Sequence, residues 1–253
     1  NPSVTAKITE EIVLLSRWKA ANLYERELTK MIQSLSMHEC SNILKKRVGK
    51  SHEPYRVFLR PIRNKMKETQ KTIELNLNEG KPINQSMLVK SINEVIEPLN
   101  MVYDSLCSVK CEKIANGLVL NLLRQAHTFG LNLAKIDIRQ ESSRHQKLIN
   151  NICKNLKLGN YQNWSERKKI LFLSQKFQSK NQLISRQISL NKEDQEVWST
   201  FKMIAKLPLE CMGAYIVSMA SNVSDVLAVM VLQKEAGLKS CLRVVPLFET
   251  LSD

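Results

Sequence analysis

The chain has 253 residues, 43% of them hydrophobic, with 38 Lys and Arg against 24 Asp and Glu for a formal charge of +14 at pH 7. That length and apolar content support one sizeable core or two smaller ones and exclude a disordered chain, because aliphatic residues recur in almost every segment. No run of about 18 apolar residues exists, so no helical membrane span is expected, and aromatics, at 6%, are not interleaved with the basic residues, so stacking on nucleic-acid bases is not expected. The start, NPSVTAKITEEIV, lacks the layout of a signal peptide and lacks Met, and reads as a processed or excised chain.

The first long helix is predicted over 9–35, where Leu14, Trp18, Ala21, Tyr24, Leu28, Met31 and Leu35 recur in steps of three and four. Arg17, Lys19, Glu27 and Lys30 are assigned to its polar face. Residues 41–52, polar and holding Gly49 and Ser51, read as a connection. A second helix is predicted over 53–78, with Pro54 in its first turn and Gly80 and Pro82 ending it; Pro61 is expected to kink or interrupt it. A third is predicted over 85–106, with Pro98 as a further kink. The basic residues Arg56, Arg60, Arg63, Lys65 and Lys67, and later Arg167, Lys168 and Lys169, read as solvated helix faces.

The pattern then changes. A helix over 118–129 ends before Gly130, and Leu131–Ile138 is rich enough in aliphatics to be a strand. Helices are predicted at 141–156, 166–177 with Ser165 as N-cap, and 193–206. Ala214–Met219 reads as a second strand, Ser224–Ala236 as a helix closed by Gly237, and Leu242–Pro246 as a third strand. Strand, helix, strand is a βα pattern, open to two architectures: part of a (β/α)₈ barrel or an open parallel sheet. Three strands are too few for a closed barrel, so the sequence reads as cut from something larger. The division is placed at a helical region, 1–112, and a partial barrel region, 113–253.

The six cysteines, Cys40, Cys107, Cys111, Cys153, Cys211 and Cys241, do not form a zinc pattern, and scattered thiols fit a reducing compartment. His38, His52, His127 and His145 each lack a positioned partner in sequence and are read as structural.

An ordered set of words runs through the chain: LLSRW at 14–18, LSMHE at 35–39, EPYR at 53–56, IANG at 114–117, DIRQES at 137–142, AYIVSMA, SDVLAV, and PLFET at 246–250. Together they resemble the central part of bacterial phosphoenolpyruvate carboxylase, collinear over essentially the whole chain. The resemblance implies an α/β, predominantly helical fold, an incomplete piece of a (β/α)₈ barrel with long helical insertions. It also implies a cytoplasmic lyase, usually a homotetramer, that joins phosphoenolpyruvate to bicarbonate with Mg²⁺ or Mn²⁺ and releases oxaloacetate and phosphate. That reaction replenishes the tricarboxylic acid cycle or fixes carbon. On the same resemblance, Arg139 contacts the substrate phosphate and Glu249 is one of two carboxylate metal ligands. A guanidinium suits the first role as a rigid, permanently charged fork of donors; a carboxylate suits the second because a hard cation takes oxygen ligands.

Asp137 is read as structural, with strand alternation turning it away from the face of Arg139. The family words TAHPT and HGRGG and a later word carrying the second metal aspartate do not occur in the 253 residues. Lys135 stands where many members have arginine, and Glu210 and Cys211 stand where small residues usually precede the AYIVSMA strand. This chain alone is therefore expected to be inactive and to hold Mg²⁺ poorly. The competing reading is a helical binding or scaffold remnant of the same family.

Overall fold

The computed structural model describes residues 5–181, 183–184 and 188–249. Its contacts divide the chain into two units: residues 11–134, and residues 135 onward together with the first ten. Among the described residues no helix is long and apolar enough to cross a membrane.

The unit of residues 11–134 is helical. Its elements are α1 (Ala6–Ser34, of which the first five residues group with the other unit), α2 (Asn42–Val48), α3 (Pro54–Glu79), α4 (Asn93–Ser108) and the turn α5 (Glu112–Ile114). α5 runs through a π-helical turn at Ala115–Val119 into α6 (Leu120–Phe129). The stripe read from the sequence is the buried face of α1 and the residue after it: Ala21, Tyr24, Leu28, Met31 and Leu35 join Tyr55, Leu59 and Met66 of α3, Val95, Leu99 and Val102 of α4, and Leu122 and Leu123 of α6 in one core. Trp18 is half-buried beside a smaller cluster of Leu14, Ile73 and Leu88, and its indole donates to Glu74 at 2.8 Å. Tyr24 donates its hydroxyl to Gly130 O at 2.5 Å, and burial pushes its phenol up to about 12.

Three expectations are corrected here. Residues 41–52 contain α2, capped by the Ser41 hydroxyl on Leu44 N at 3.2 Å; only Leu44 is buried on it, so no apolar period announced it. The third helix begins at Asn93, not 85, because the Asn84 side chain accepts from Ser86 N and Oγ and offers the backbone a turn instead. α3 and α4 each run on through their prolines, Pro61 and Pro98, without interruption. Arg17 is not on a solvated face: it is buried, and Nη2 donates to Val89 O at 2.8 Å in the non-helical stretch before α4.

The second unit holds the sheet. β1 (Ile136–Glu141) leads to α7 (Ser142–Asn155), α8 (Glu166–Gln178) and α9 (Lys192–Lys206), then β2 (Met212–Ser218), α10 (Val223–Glu235) and β3 (Val244–Pro246). Single 3₁₀ turns lie at Tyr161–Asn163 and at Leu209–Cys211, the latter holding Glu210 and Cys211. The three strands pair in parallel in the order β1-β2-β3, with Arg139 opposite Ile216 and Tyr215 opposite Val244. The sequence placed the first strand at 131–138; it starts instead at Ile136. Leu131 belongs to the helical core, and Leu133 takes a φ of 59, so the aliphatic run 131–134 serves a turn and the neighbouring helices rather than a sheet.

The β1–β2 register shifts between Ile136 and Ile138, where one residue of β1, Asp137, faces two of β2, Gly213 and Ala214. The Asp137 carboxylate fills that irregularity, accepting from Ala214 N at 2.6 Å. Gly213 makes room for it, since a Cβ there would overlap Oδ1. Asp137 is therefore structural, but alternation is not the reason, because residues two apart on a regular strand share a face.

Long-range polar contacts brace the helices around the sheet. Glu166 accepts from Ser224 N and Oγ at 2.8 and 2.7 Å, joining the starts of α8 and α10. Asp225 completes a capping box with Asn222. Glu235 accepts from Leu183 N at 2.7 Å. The Lys234 ammonium bonds the carbonyls of Lys176 and Phe177 at 3.0 and 2.6 Å and also that of Ser179, closing the end of α8. The whole is predominantly helical with a small, open parallel sheet, an incomplete (β/α)₈-type arrangement with helical insertions.

Candidate active site

Ligands of parallel α/β folds gather outside the carboxyl ends of the strands. Arg139 is on β1 itself, two residues before its end, rather than just past the strand as the sequence placed it. Glu249 lies three residues past β3. The structure brings the two together: Arg139 Nη2 donates to Glu249 Oε1 at 2.6 Å. Glu249 Oε2 accepts from the backbone N–H of Met219 at 3.1 Å, just past β2. Met219 takes a φ of 53, and its carbonyl accepts the Ser142 hydroxyl at 2.6 Å at the start of α7. Side chains thus tie the ends of all three strands into one ring. Arg139 is 57% exposed and Glu249 34%, so solutes reach both. Met219 and Phe248, both exposed, belong to the same strand-end segments, and exposed Val223 opens α10.

Beneath this ring the polar groups serve the fold. Tyr215 donates its hydroxyl to Gln140 Oε1 at 2.9 Å and meets His145 Nε2 at 2.9 Å. With the hydroxyl proton given to Gln140, the His145 ring carries its own proton on Nε2. His145 is fully buried against Phe201 and Tyr215. Burial, aided by the Arg144 charge, lowers its pKa to about 3. A ring held neutral and out of solvent packs the core. Elsewhere His38 and His52 meet edge to face with centroids 5.7 Å apart, and His127 lies in the last turn of α6.

The resemblance implies a divalent metal, and the residues present do not by themselves fit one. Among the described residues no three His, Cys, Asp or Glu side chains gather into a cation site. Both Glu249 oxygens are engaged, one by a guanidinium and one by an N–H. A small ion that sheds water reluctantly needs more oxygen ligands than this carboxylate offers.

The sequence did not reveal Met219 N–H and Ser142 as parts of the ring, since a left-handed backbone at a non-glycine residue leaves no mark in composition or period.

The family model for phosphoenolpyruvate carboxylase matches residues 1–253. The chain belongs to the phosphoenolpyruvate carboxylase family. It is 43% identical over 261 residues to the phosphoenolpyruvate carboxylase of Acinetobacter baumannii, covering 100% of this chain and 29% of that protein. Identity is 40% over 253 residues to the phosphoenolpyruvate carboxylases of Tolumonas auensis and Pseudomonas putida, again covering 100% of this chain and 29% of each relative. The chain thus spans under a third of the length of these phosphoenolpyruvate carboxylases.

Proposed function

We propose that these residues form the phosphate-facing part of a phosphoenolpyruvate carboxylase active site, a lyase site that converts phosphoenolpyruvate and bicarbonate to oxaloacetate and phosphate. The observation that carries the proposal is the meeting of Arg139 and Glu249 at the strand ends from positions 110 apart in sequence. In this reading the Arg139 guanidinium holds phosphate oxygens and offsets charge as the phosphoryl group moves. Met219 supplies a backbone donor at the same place. Glu249 is one oxygen ligand of a Mg²⁺ or Mn²⁺ site whose other ligands come from the part of the family protein not represented here. That ion would supply charge neutralisation for phosphate and enolate when bound. A catalytic constellation spread beyond these residues leaves this chain inactive alone. A cytoplasmic homotetramer is inferred from the family in the same way.

The test is bicarbonate-dependent oxaloacetate formation, read by coupling to NADH oxidation. The chain alone should match an Arg139→Ala control. Supplied in trans with the remaining segments of a relative, it should gain activity that Arg139→Ala removes. The second reading, a binding or scaffold remnant, draws on the absence of a carboxylate cluster among the described residues. It predicts no activity in trans although the pieces associate.

A further inference from the structure

We infer that Glu249 acts as an internal competitor for the anion-binding guanidinium, partly masking Arg139 by occupying one of its donors and offsetting its charge until the carboxylate is displaced; the inference rests on the reading of Arg139 as the phosphate contact. A carboxylate presents to a guanidinium the same kind of charged oxygen acceptors as a phosphate. Glu249 Oε1 holds Nη2 at 2.6 Å, where a phosphate oxygen would have to sit to use that donor. The carboxylate does not wander freely, because the Met219 N–H holds its other oxygen at 3.1 Å. Met219 is in turn fixed by the Ser142 hydroxyl on its carbonyl. The competitor is therefore prepositioned by backbone just past β2, not by its own loop alone.

The mask is weak enough to open. The pair is substantially exposed, at 57% and 34%, so water screens it and incoming anions reach it. Its weight in binding is correspondingly modest. Removing the negative charge of Glu249 while keeping its shape should strengthen anion binding by about fivefold, the upper range for breaking an exposed pair.

The experiment titrates the full chain with inorganic phosphate at fixed ionic strength and follows ³¹P resonance shifts. Four proteins are compared: the natural sequence, Glu249→Gln, Arg139→Ala, and Glu141→Gln. Glu141 is also at the end of β1, but its carboxylate accepts from Ser143, not from Arg139, so its replacement removes a nearby negative charge without breaking the Arg139 pair. Circular dichroism of each variant checks that the fold is kept; Arg139→Gln replaces Arg139→Ala if the latter unfolds. The expected result is roughly fivefold tighter phosphate binding by Glu249→Gln, little change for Glu141→Gln, and loss of site binding with Arg139→Ala. Equal affinity of Glu249→Gln and the natural chain, with binding still dependent on Arg139, overturns the mask and leaves the phosphate role standing. An equal gain from Glu141→Gln also overturns it, as a general charge effect. Binding that ignores Arg139→Ala, or no phosphate binding even by Glu249→Gln, sinks the phosphate role and the mask with it.

Discussion

In residues 11–134 cohesion comes from apolar stripes: α1, α3, α4 and α6 each turn one face into a single core. In residues 135–249 the decisive contacts are polar and distant in sequence, with Asp137 on Ala214, Glu166 on Ser224, Glu235 on Leu183 and Glu249 on Met219, all side-chain carboxylates satisfying backbone N–H groups. The difference follows from geometry. Long helices satisfy their own backbone and need only bury a face. A short open sheet ringed by helix ends leaves many N–H groups to be met, and buried ones are costly to leave unmet.

This contrast predicts where each region breaks. The largest effect belongs to the helical core: Leu28→Ala should cost about 3 kcal/mol in urea denaturation, by lost burial and a residual cavity. A loss under about 1 kcal/mol would mean that the stripe is not what holds that unit. Next comes acid. His145 is neutral in the folded chain down to about pH 3, while its unfolded pKa is near 6.5. Above 6.5 the ring is neutral in both states and carries no penalty. As pH falls below that, the unfolded chain takes up the proton first, so stability drops by about 1.4 kcal/mol per pH unit. Comparing denaturation at about pH 7 and about pH 4, the drop should shrink by roughly 3 kcal/mol in His145→Phe relative to the natural chain.

A smaller effect tests the strand irregularity. Gly213→Ala should cost about 2 kcal/mol by expelling the Asp137 carboxylate from Ala214 N. Asp137→Ala alone should cost a similar amount, and the double variant less than the sum. Full additivity would show that the two positions are not coupled. Smallest is the cap of α9, where Asn191 Oδ1 accepts from Asp194 N at 2.9 Å; Asn191→Ala should lower stability by about 1 kcal/mol.

The same contrast explains what could be read from the sequence. The α1 stripe, the helices α7 to α10 and the βα pattern of the second half were legible, because burial writes a period into the residues. The short α2, which buries only Leu44, wrote none. Arg17 reads as a surface residue until a carbonyl 72 positions away is known to need a donor. At the strand ends, the words DIRQES and PLFET singled out Arg139 and Glu249 through family resemblance; neither residue type nor spacing would have paired them. That they bond each other, through a ring that includes Met219 and Ser142, is a product of parallel strand order and lies beyond local pattern.

Lys234 carries a practical consequence of its own. Its amine is held by three carbonyls at the end of α8, which sets it apart from lysines pointing to solvent. Acylating reagents need an amine that has let go of its acceptors. In a chain with many reactive amines, Lys234 should label late, and only as fast as the α8–α10 junction opens. The rate of its modification, followed by peptide mass mapping, is therefore a clock for local opening at one identifiable joint, readable without unfolding the molecule.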